Sequence, residues 1–236
     1  MQLSERLTKI ASMVTAGNCL ADVGTDHGYV PIYLLENKKI PRAIAMDINE
    51  GPLERARLHI AESGLEQMVE TRLSDGMAAL KPGEADTVVI AGMGGPLMIR
   101  ILSDDPEVTG SLKELILQPQ SEIAQVRKWL YEKRYEITEE HMVFEEGKYY
   151  PMFRAEKNSQ CKEPTVLEYQ FGCLDVQREP EVLRAFLEKE IRGKKEILEK
   201  LLENPTQKSR ERAVEMNRIL KDYKTVLSQL LERFEK

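Results

Sequence analysis

Residues 19–29 read Cys-Leu-Ala-Asp-Val-Gly-Thr-Asp-His-Gly-Tyr, and this stretch decides the fold. A short apolar run, Cys19–Val23, enters a loop with glycines at 24 and 28, and Tyr29 then opens a helical pattern. Strand, glycine-bearing loop and helix in that order are the first half of a βαβ unit. Working outward, further short apolar runs stand at Ala43–Ile48, Val69–Leu73, Thr87–Ala91 and Leu115–Leu117, with helical patterns centred near residues 33, 57, 99 and 128. Mostly apolar runs of this kind suit parallel strands covered on both faces. Gly64 ends the second helical pattern, and Asp75-Gly76, Pro82-Gly83 and Gly94-Gly95-Pro96 punctuate the turns. Ahead of the first strand, Leu3, Leu7, Ile10 and Val14 fall on one face of an amphipathic helix.

From Tyr135 to Lys157 the pattern changes to two extended stretches around Glu146-Gly147-Lys148, an antiparallel hairpin that completes a mixed sheet of seven strands. Beyond it, Pro180 suits the first turn of a helix running to about Glu203, and Asn204-Pro205 breaks it before a second helix that continues to the end. Leu183, Leu187, Ile191, Leu198 and Leu201 stripe the first helix; Met216, Ile219, Leu220, Tyr223, Val226, Leu227, Leu230 and Phe234 stripe the second. The expected architecture is an α/β domain over 1–160 and a coiled-coil-like helical hairpin domain over 161–236.

At 236 residues with 42% hydrophobic and 31% charged residues, the composition excludes disordered and collagen-like classes. No apolar run has the roughly 18 residues of a membrane span and the N-terminal segment lacks a signal-peptide core, so the cytoplasm is the expected compartment. Cys19, Cys161 and Cys173 form no CxxC pair and His27, His59 and His141 no ligand spacing, so no bound metal is expected. The net charge of -6 argues against binding nucleic acid through overall charge. The distribution is uneven: residues 1–160 hold 18 Lys and Arg against 25 Asp and Glu, whereas residues 161–236 hold 16 against 15. The tail is the less repulsive surface for a polyanion.

In an open α/β sheet, ligands bind beyond the carboxyl ends of the strands. The loop after the first strand is G-x-x-x-G and carries Asp26, whose charge would repel a pyrophosphate. A cationic ligand suits it better, and the ammonium and sulfonium of S-adenosylmethionine fit a loop with Asp22 and Asp26. Asp47 ends the second strand, where an acid receives ribose hydroxyls; Asp75-Gly76 ends the third, where a carboxylate accepts an adenine amine. Ala91-Gly92-Met93-Gly94-Gly95 follows the fourth and lets a substrate approach the backbone. Each loop alone also reads as ordinary turn chemistry, His27 as a structural histidine, Tyr29 as a core residue and Met93 as packing. Their recurrence at successive strand ends is what points to a ligand.

The strings DVGTDHGYVP (22–31), DINEGPLERA (47–56), GEADTVVIAGMGG (83–95) and LILQPQ (115–120), followed by EEGKYY (145–150), resemble the bacterial tRNA (adenine-22-N1)-methyltransferase family, TrmK, over nearly the whole chain. The resemblance implies a class I Rossmann-like methyltransferase fold, S-adenosylmethionine as methyl donor and adenine N1 of tRNA as acceptor. It implies cofactor contacts at Asp22, Gly24, Asp26, His27, Asp47, Asp75, Gly76, Ala91 and Gly92, and Arg6, Thr25, Ile48 and Met93 are further candidates for cofactor binding. Asp26 is the candidate for electrostatic catalysis, with Tyr29 stacking on or orienting the base. The chain departs from the family pattern at Gly28, where many members carry Ala, and at Met46-Asp47, where they carry Gly-Glu; Asp47 is shorter but still reaches a ribose. Lys189, Arg192, Lys194, Lys195, Lys208, Arg210, Arg212, Arg218, Lys221 and Lys224 line the tail helices. They read either as a grip on the tRNA backbone or as a solvated face balanced by Glu. A monomer is expected, with weak dimerisation through the tail as the alternative. Competing readings are methylation of another RNA, an NAD-dependent oxidoreductase, which lacks its pyrophosphate fingerprint here, and a non-enzymatic adaptor using the helical hairpin.

Overall fold

The computed structural model describes residues 2–203 and 206–234. In chain order the elements are α1 (Glu5–Met13), β1 (Leu20–Val23), α2 (Tyr29–Glu36), β2 (Ala43–Asp47), α3 (Glu50–Glu62), β3 (Val69–Leu73), β4 (Thr87–Met93), α4 (Gly95–Asp104), α5 (Pro106–Ser111), β5 (Glu114–Pro119), α6 (Ile123–Glu132), β6 (Tyr135–Glu145), β7 (Lys148–Lys157), α7 (Val166–Phe171), α8 (Pro180–Glu203) and α9 (Gln207–Phe234). They divide into two compact units, Met1–Glu163 and Pro164–Lys236.

The first unit is a seven-stranded sheet in the order β3-β2-β1-β4-β5-β7-β6. The pairs joining β1 to β5 are parallel, and β7 runs antiparallel between β5 and β6. A two-residue turn joins β6 to β7, with Glu146 at φ 50° and Gly147 at φ 80°. Such turns need left-handed backbone at both central positions, and glycine takes the second at no steric cost. Side chains alternate between two apolar layers. Ala21, Val23, Met46, Ile90, Leu117 and Phe153 pack with Met98, Ile101, Val126 and Leu130, on the side of α4 and α6. Leu20, Ala45, Val89 and Ile116 pack with Ile10, Val14, Ile32, Ala56 and Ile60, on the side of α1, α2 and α3. Burying each of the larger of these side chains, Val, Leu, Ile, Met or Phe, is worth about 1.5–3 kcal/mol.

Strand boundaries differ from the sequence reading for local reasons. β1 begins at Leu20 because the Cys19 N–H donates to the Asp86 carboxylate at 2.8 Å instead of to a neighbouring strand. β2 stops at Asp47, whose carboxylate accepts the Asn49 N–H at 2.8 Å and turns the chain, leaving Ile48 exposed. β4 continues past Ala91 to Met93 through an irregularity at Gly92, which has φ 78°. β5 is longer than Leu115–Leu117, spanning Glu114–Pro119. Two short helices were not expected. Asp105 caps α5 by accepting the Glu107 and Val108 N–H groups, and Thr165 and Glu168 form a reciprocal capping box on α7.

In the second unit α8 and α9 pack as a helical hairpin, its core built from Ile191, Met216 and Leu220 with Leu198, Tyr223 and Leu227 against them. Leu183, Leu187, Val226 and Leu230 are also buried, whereas Phe234 is exposed at the end of α9. The break expected at Asn204-Pro205 lies outside the described residues. Among the described residues, no helix is long and apolar enough to cross a membrane and no cluster of His, Cys, Asp or Glu could hold a metal.

Candidate active site

Strand register assembles the site. Val23 of β1 aligns with Met46 of β2 and with Ile90 of β4, which aligns in turn with Leu117 of β5. The residues that follow, Gly24, Asp47, Ala91 and Gln118, therefore stand in one row at the carboxyl end of the sheet. The chain order reverses between β1 and β4, since β1 leads to β2 on one side while β4 lies on the other. A crevice opens at that point.

The loop after β1 turns sharply because the Gly24 and Thr25 N–H groups both donate to the Met46 carbonyl at 2.8 Å. Gly24 has φ 76°, and a Cβ there would lie 2.3 Å from Met93 Cε, so the β1 and β4 loops meet across the crevice at this glycine. Thr25 is buried. His27 is left-handed at φ 65° without being glycine. Its Nδ1 is buried with no protein hydrogen-bond partner among the described residues, a ring nitrogen left for another molecule.

The carboxylates of the crevice differ. Asp22 is 8% exposed, and burial, with Asp47 adding repulsion, pushes its carboxyl up to about 6. Among the described residues neither Asp22 nor Asp47 has an ion-pair partner. Asp26 is two-thirds exposed; Arg55 donates to it at 3.1 Å and His27 Nε2 lies 3.4 Å away. Asp75 is held by two hydrogen bonds from Arg100, at 2.8 and 3.2 Å, which keep its carboxyl below the usual range. Any adenine amine bound there shares Asp75 with that guanidinium. Gly76 has φ 59°, and a Cβ there would come within 2.8 Å of Ile101, so this glycine is required by packing. Ile48 is 58% exposed beside Asp47, an apolar side chain open to a ligand.

Ala91, Gly92 and Met93 form the irregular end of β4. The Gly92 N–H donates to Gln118 Oε1 at 3.1 Å, and Arg6 Nη1 donates to the same oxygen at 3.1 Å. Arg6 also pairs with Glu145 and lies over the Tyr150 ring, 5.4 Å from its centroid. It thus touches the β4 loop through Gln118. Tyr29 opens α2 with its ring 5.0 Å from that of His27 and 5.3 Å from that of His59.

Sequence reasoning missed Gln118, Arg55, Arg100 and His59 as partners of the site. Gln118 had a signal, being a polar residue directly after the apolar run Leu115–Leu117. Arg55 and His59 sit on α3 among several charged residues, and Arg100 stands on the mostly apolar α4 with no local sign that it reaches the β3 loop.

This sheet order, with its reversed seventh strand and an acidic crevice at the switch point, defines a Rossmann-like methyltransferase fold. Residues 3–153 match the family described as "Methyltransferase domain". The tRNA (adenine(22)-N(1))-methyltransferase of Bacillus subtilis is 39% identical over 156 residues, 66% of this chain and 66% of that protein. The crystal structure of the B. subtilis m1A22 tRNA methyltransferase TrmK superposes with a TM-score of 0.82 at 30% identity, covering 96% of this chain and 99% of that one. The structure of M. capricolum TrmK in complex with S-adenosyl-homocysteine gives 0.85 at 28% identity over 97% of this chain and 99% of that one. The chain belongs to the TrmK family of tRNA (adenine-22-N1)-methyltransferases.

Proposed function

We propose that this protein methylates N1 of the adenine at position 22 of bacterial tRNA, using S-adenosylmethionine, with residues 1–160 as the catalytic domain and 161–236 as a tRNA-gripping tail. The observation that carries the reading is the pair of carboxylates without a cation, Asp22 and Asp47, at the switch point of this sheet. Burying a carboxylate such as Asp22 without a neutralising cation is unfavourable, and a cationic ligand offsets that penalty. When bound, S-adenosylmethionine supplies a methyl group on a sulfonium.

The cofactor contacts in this reading are Asp22, Gly24, Thr25 and His27 from the β1 loop, Asp47 and Ile48 from β2, Asp75 and Gly76 from β3, and Ala91, Gly92 and Met93 from β4. Arg6 acts on them through Gln118. Asp47 accepts ribose hydroxyls, and the His27 Nδ1 lone pair accepts a proton donor. The adenine N1 lone pair is already free, so the chain supplies position and field, with no need for a strong base. Asp26 stabilises positive charge as it moves onto the purine, and the Tyr29 ring orients the base. The Watson–Crick edge of the adenine must first be exposed, which requires unstacking it.

In the tail, Lys194 is taken by Glu190 and the Tyr223 ring and Arg212 by Glu215, which leaves Lys221 and Lys224 among the exposed cations for phosphates. The testing experiment incubates the protein with labelled S-adenosylmethionine and unmodified tRNA and analyses the nucleosides by mass. Labelled 1-methyladenosine is the expected product, lost when adenine 22 of the tRNA is replaced; its absence in a protein that binds the cofactor would overturn the substrate assignment.

A further inference from the structure

We propose that one face of α3, built from Arg55, Ala56 and His59, clamps the loop between β1 and α2 in its working shape, and that His59 is a positioning residue for methyl transfer. The inference rests on the reading of that loop as the reaction site.

The loop carries two successive left-handed residues, His27 at φ 65° and Gly28 at φ 70°. Glycine adopts this backbone freely, but a residue with a Cβ needs its surroundings to hold it there. Three contacts from α3 do so. Arg55 Nη2 donates to Asp26 Oδ1 at 3.1 Å. Ala56 lies flush under Gly28, where an added Cβ would sit 3.4 Å from the Ala56 Cβ. His59 Nδ1 lies 3.0 Å from the His27 carbonyl oxygen. Positions 55, 56 and 59 share one helical face, so a single rigid element meets Asp26, His27 and Gly28 in turn.

The His59 contact carries the most information. A carbonyl oxygen only accepts, so Nδ1 of His59 bears the proton and its tautomer is fixed. Its ring also stacks on both neighbours, 5.3 Å from His27 and 5.3 Å from Tyr29, with planes within 20° and 17°. The hydrogen bond holds the His27 backbone, and the His59 ring lies alongside those of His27 and Tyr29. Asp26 and Tyr29 flank His27, so release of its carbonyl displaces both. A displacement of about 1 Å from productive geometry lowers rates by as much as about 100-fold. His59 does not reach the reacting atoms through this contact, so its effect falls on the rate more than on cofactor affinity.

Three full-length variants test this. His59→Phe keeps a stacking ring and removes the donor, His59→Asn keeps an amide donor where Nδ1 stands, and His59→Gln carries its amide one bond too far out. We expect kcat with saturating tRNA to fall about 10-fold or more in the Phe and Gln variants and to stay within about three-fold of wild type in the Asn variant, with the Kd for S-adenosylmethionine moving less than kcat. Amide hydrogen exchange over residues 24–29 is read on the same proteins and should speed up in the Phe and Gln variants alone, whatever the activity. Unchanged loop exchange in those two, or equal losses in all three, would overturn the clamp. An inactive wild type with the expected exchange pattern would instead count against the substrate reading and leave the clamp standing.

Discussion

Two carboxylates are buried at opposite ends of the same sheet, and they are treated differently. Glu114, at the amino end of β5, is 2% exposed and accepts the Thr15 N–H at 2.8 Å, the Thr15 hydroxyl at 2.7 Å, the Thr87 hydroxyl at 2.6 Å and the Asn18 amide at 3.3 Å. Asp22, near the carboxyl end of β1, is 8% exposed, and its burial outweighs what its neighbours return, so its carboxyl is raised to about 6. The first is satisfied by the protein and ties α1's exit to β4 and β5. The second is left partly uncompensated at the switch point. A buried acid that the fold fully satisfies is structural, whereas one it leaves wanting marks where a ligand completes the protein.

Removing the satisfied acid should be the more damaging to the fold. Glu114→Ala leaves the buried Thr87 hydroxyl without its acceptor and takes one of two acceptors from the Asn18 amide and both from Thr15, so stability in urea should drop by about 3 kcal/mol. The affinity for S-adenosylmethionine of the folded fraction should hold. Equal losses of both would erase the contrast between the two ends.

Asp22→Asn should act in the opposite sense. A carboxyl whose pKa is raised on folding, from 3.8 to about 6, contributes stability that is fully present below the unfolded value and lost as pH rises through the folded one. Removing the charge should therefore stabilise the apo protein by about 3 kcal/mol above pH 7 and have little effect near pH 4. Melting curves across that range check it, and a variant less stable than wild type at pH 8 would refute the account. The same substitution should weaken S-adenosylmethionine, because the ammonium or sulfonium loses its counter-charge.

A smaller effect, in rate alone, is expected at the exposed acid of the crevice. Asp26→Ala should lower kcat by about 100-fold, the size typical of a lost electrostatic contact in a transition state, with an unchanged melting temperature. Activity within three-fold of wild type would remove Asp26 from the reaction. The least effect belongs to the tail: Lys221→Glu with Lys224→Glu should weaken tRNA binding about 10-fold and flatten its salt dependence, leaving the cofactor Kd unchanged. Filter binding at several salt concentrations measures it.

Much of this was legible in the chain. Short apolar runs separated by helical periods gave the strand order its raw material, and the Glu146-Gly147 turn dictated the antiparallel hairpin by its backbone chemistry alone. The glycines of the β1 and β4 loops were readable because φ near 76–78° excludes most side chains. The short helices α5 and α7 escaped because six residues are too few to show a period, although their caps are written plainly. In the crevice, Asp22, Asp26, Asp47 and Asp75 were visible as acids at strand ends, but their unlike states were not.

What the amino-acid sequence determined by itself was local: which segments extend, which coil, where the chain turns, and which loops carry acids beside glycines. Those follow from backbone sterics and from the periods of apolar residues, both set by near neighbours. The tertiary structure alone decided that Arg100 neutralises Asp75 from 25 positions away while Asp22 is buried without a cation, and that His59 of α3 holds the carbonyl of His27. A carboxyl's ionisation and a loop's rigidity depend on what packs around them, and long-range packing of helices on a sheet brings those groups together.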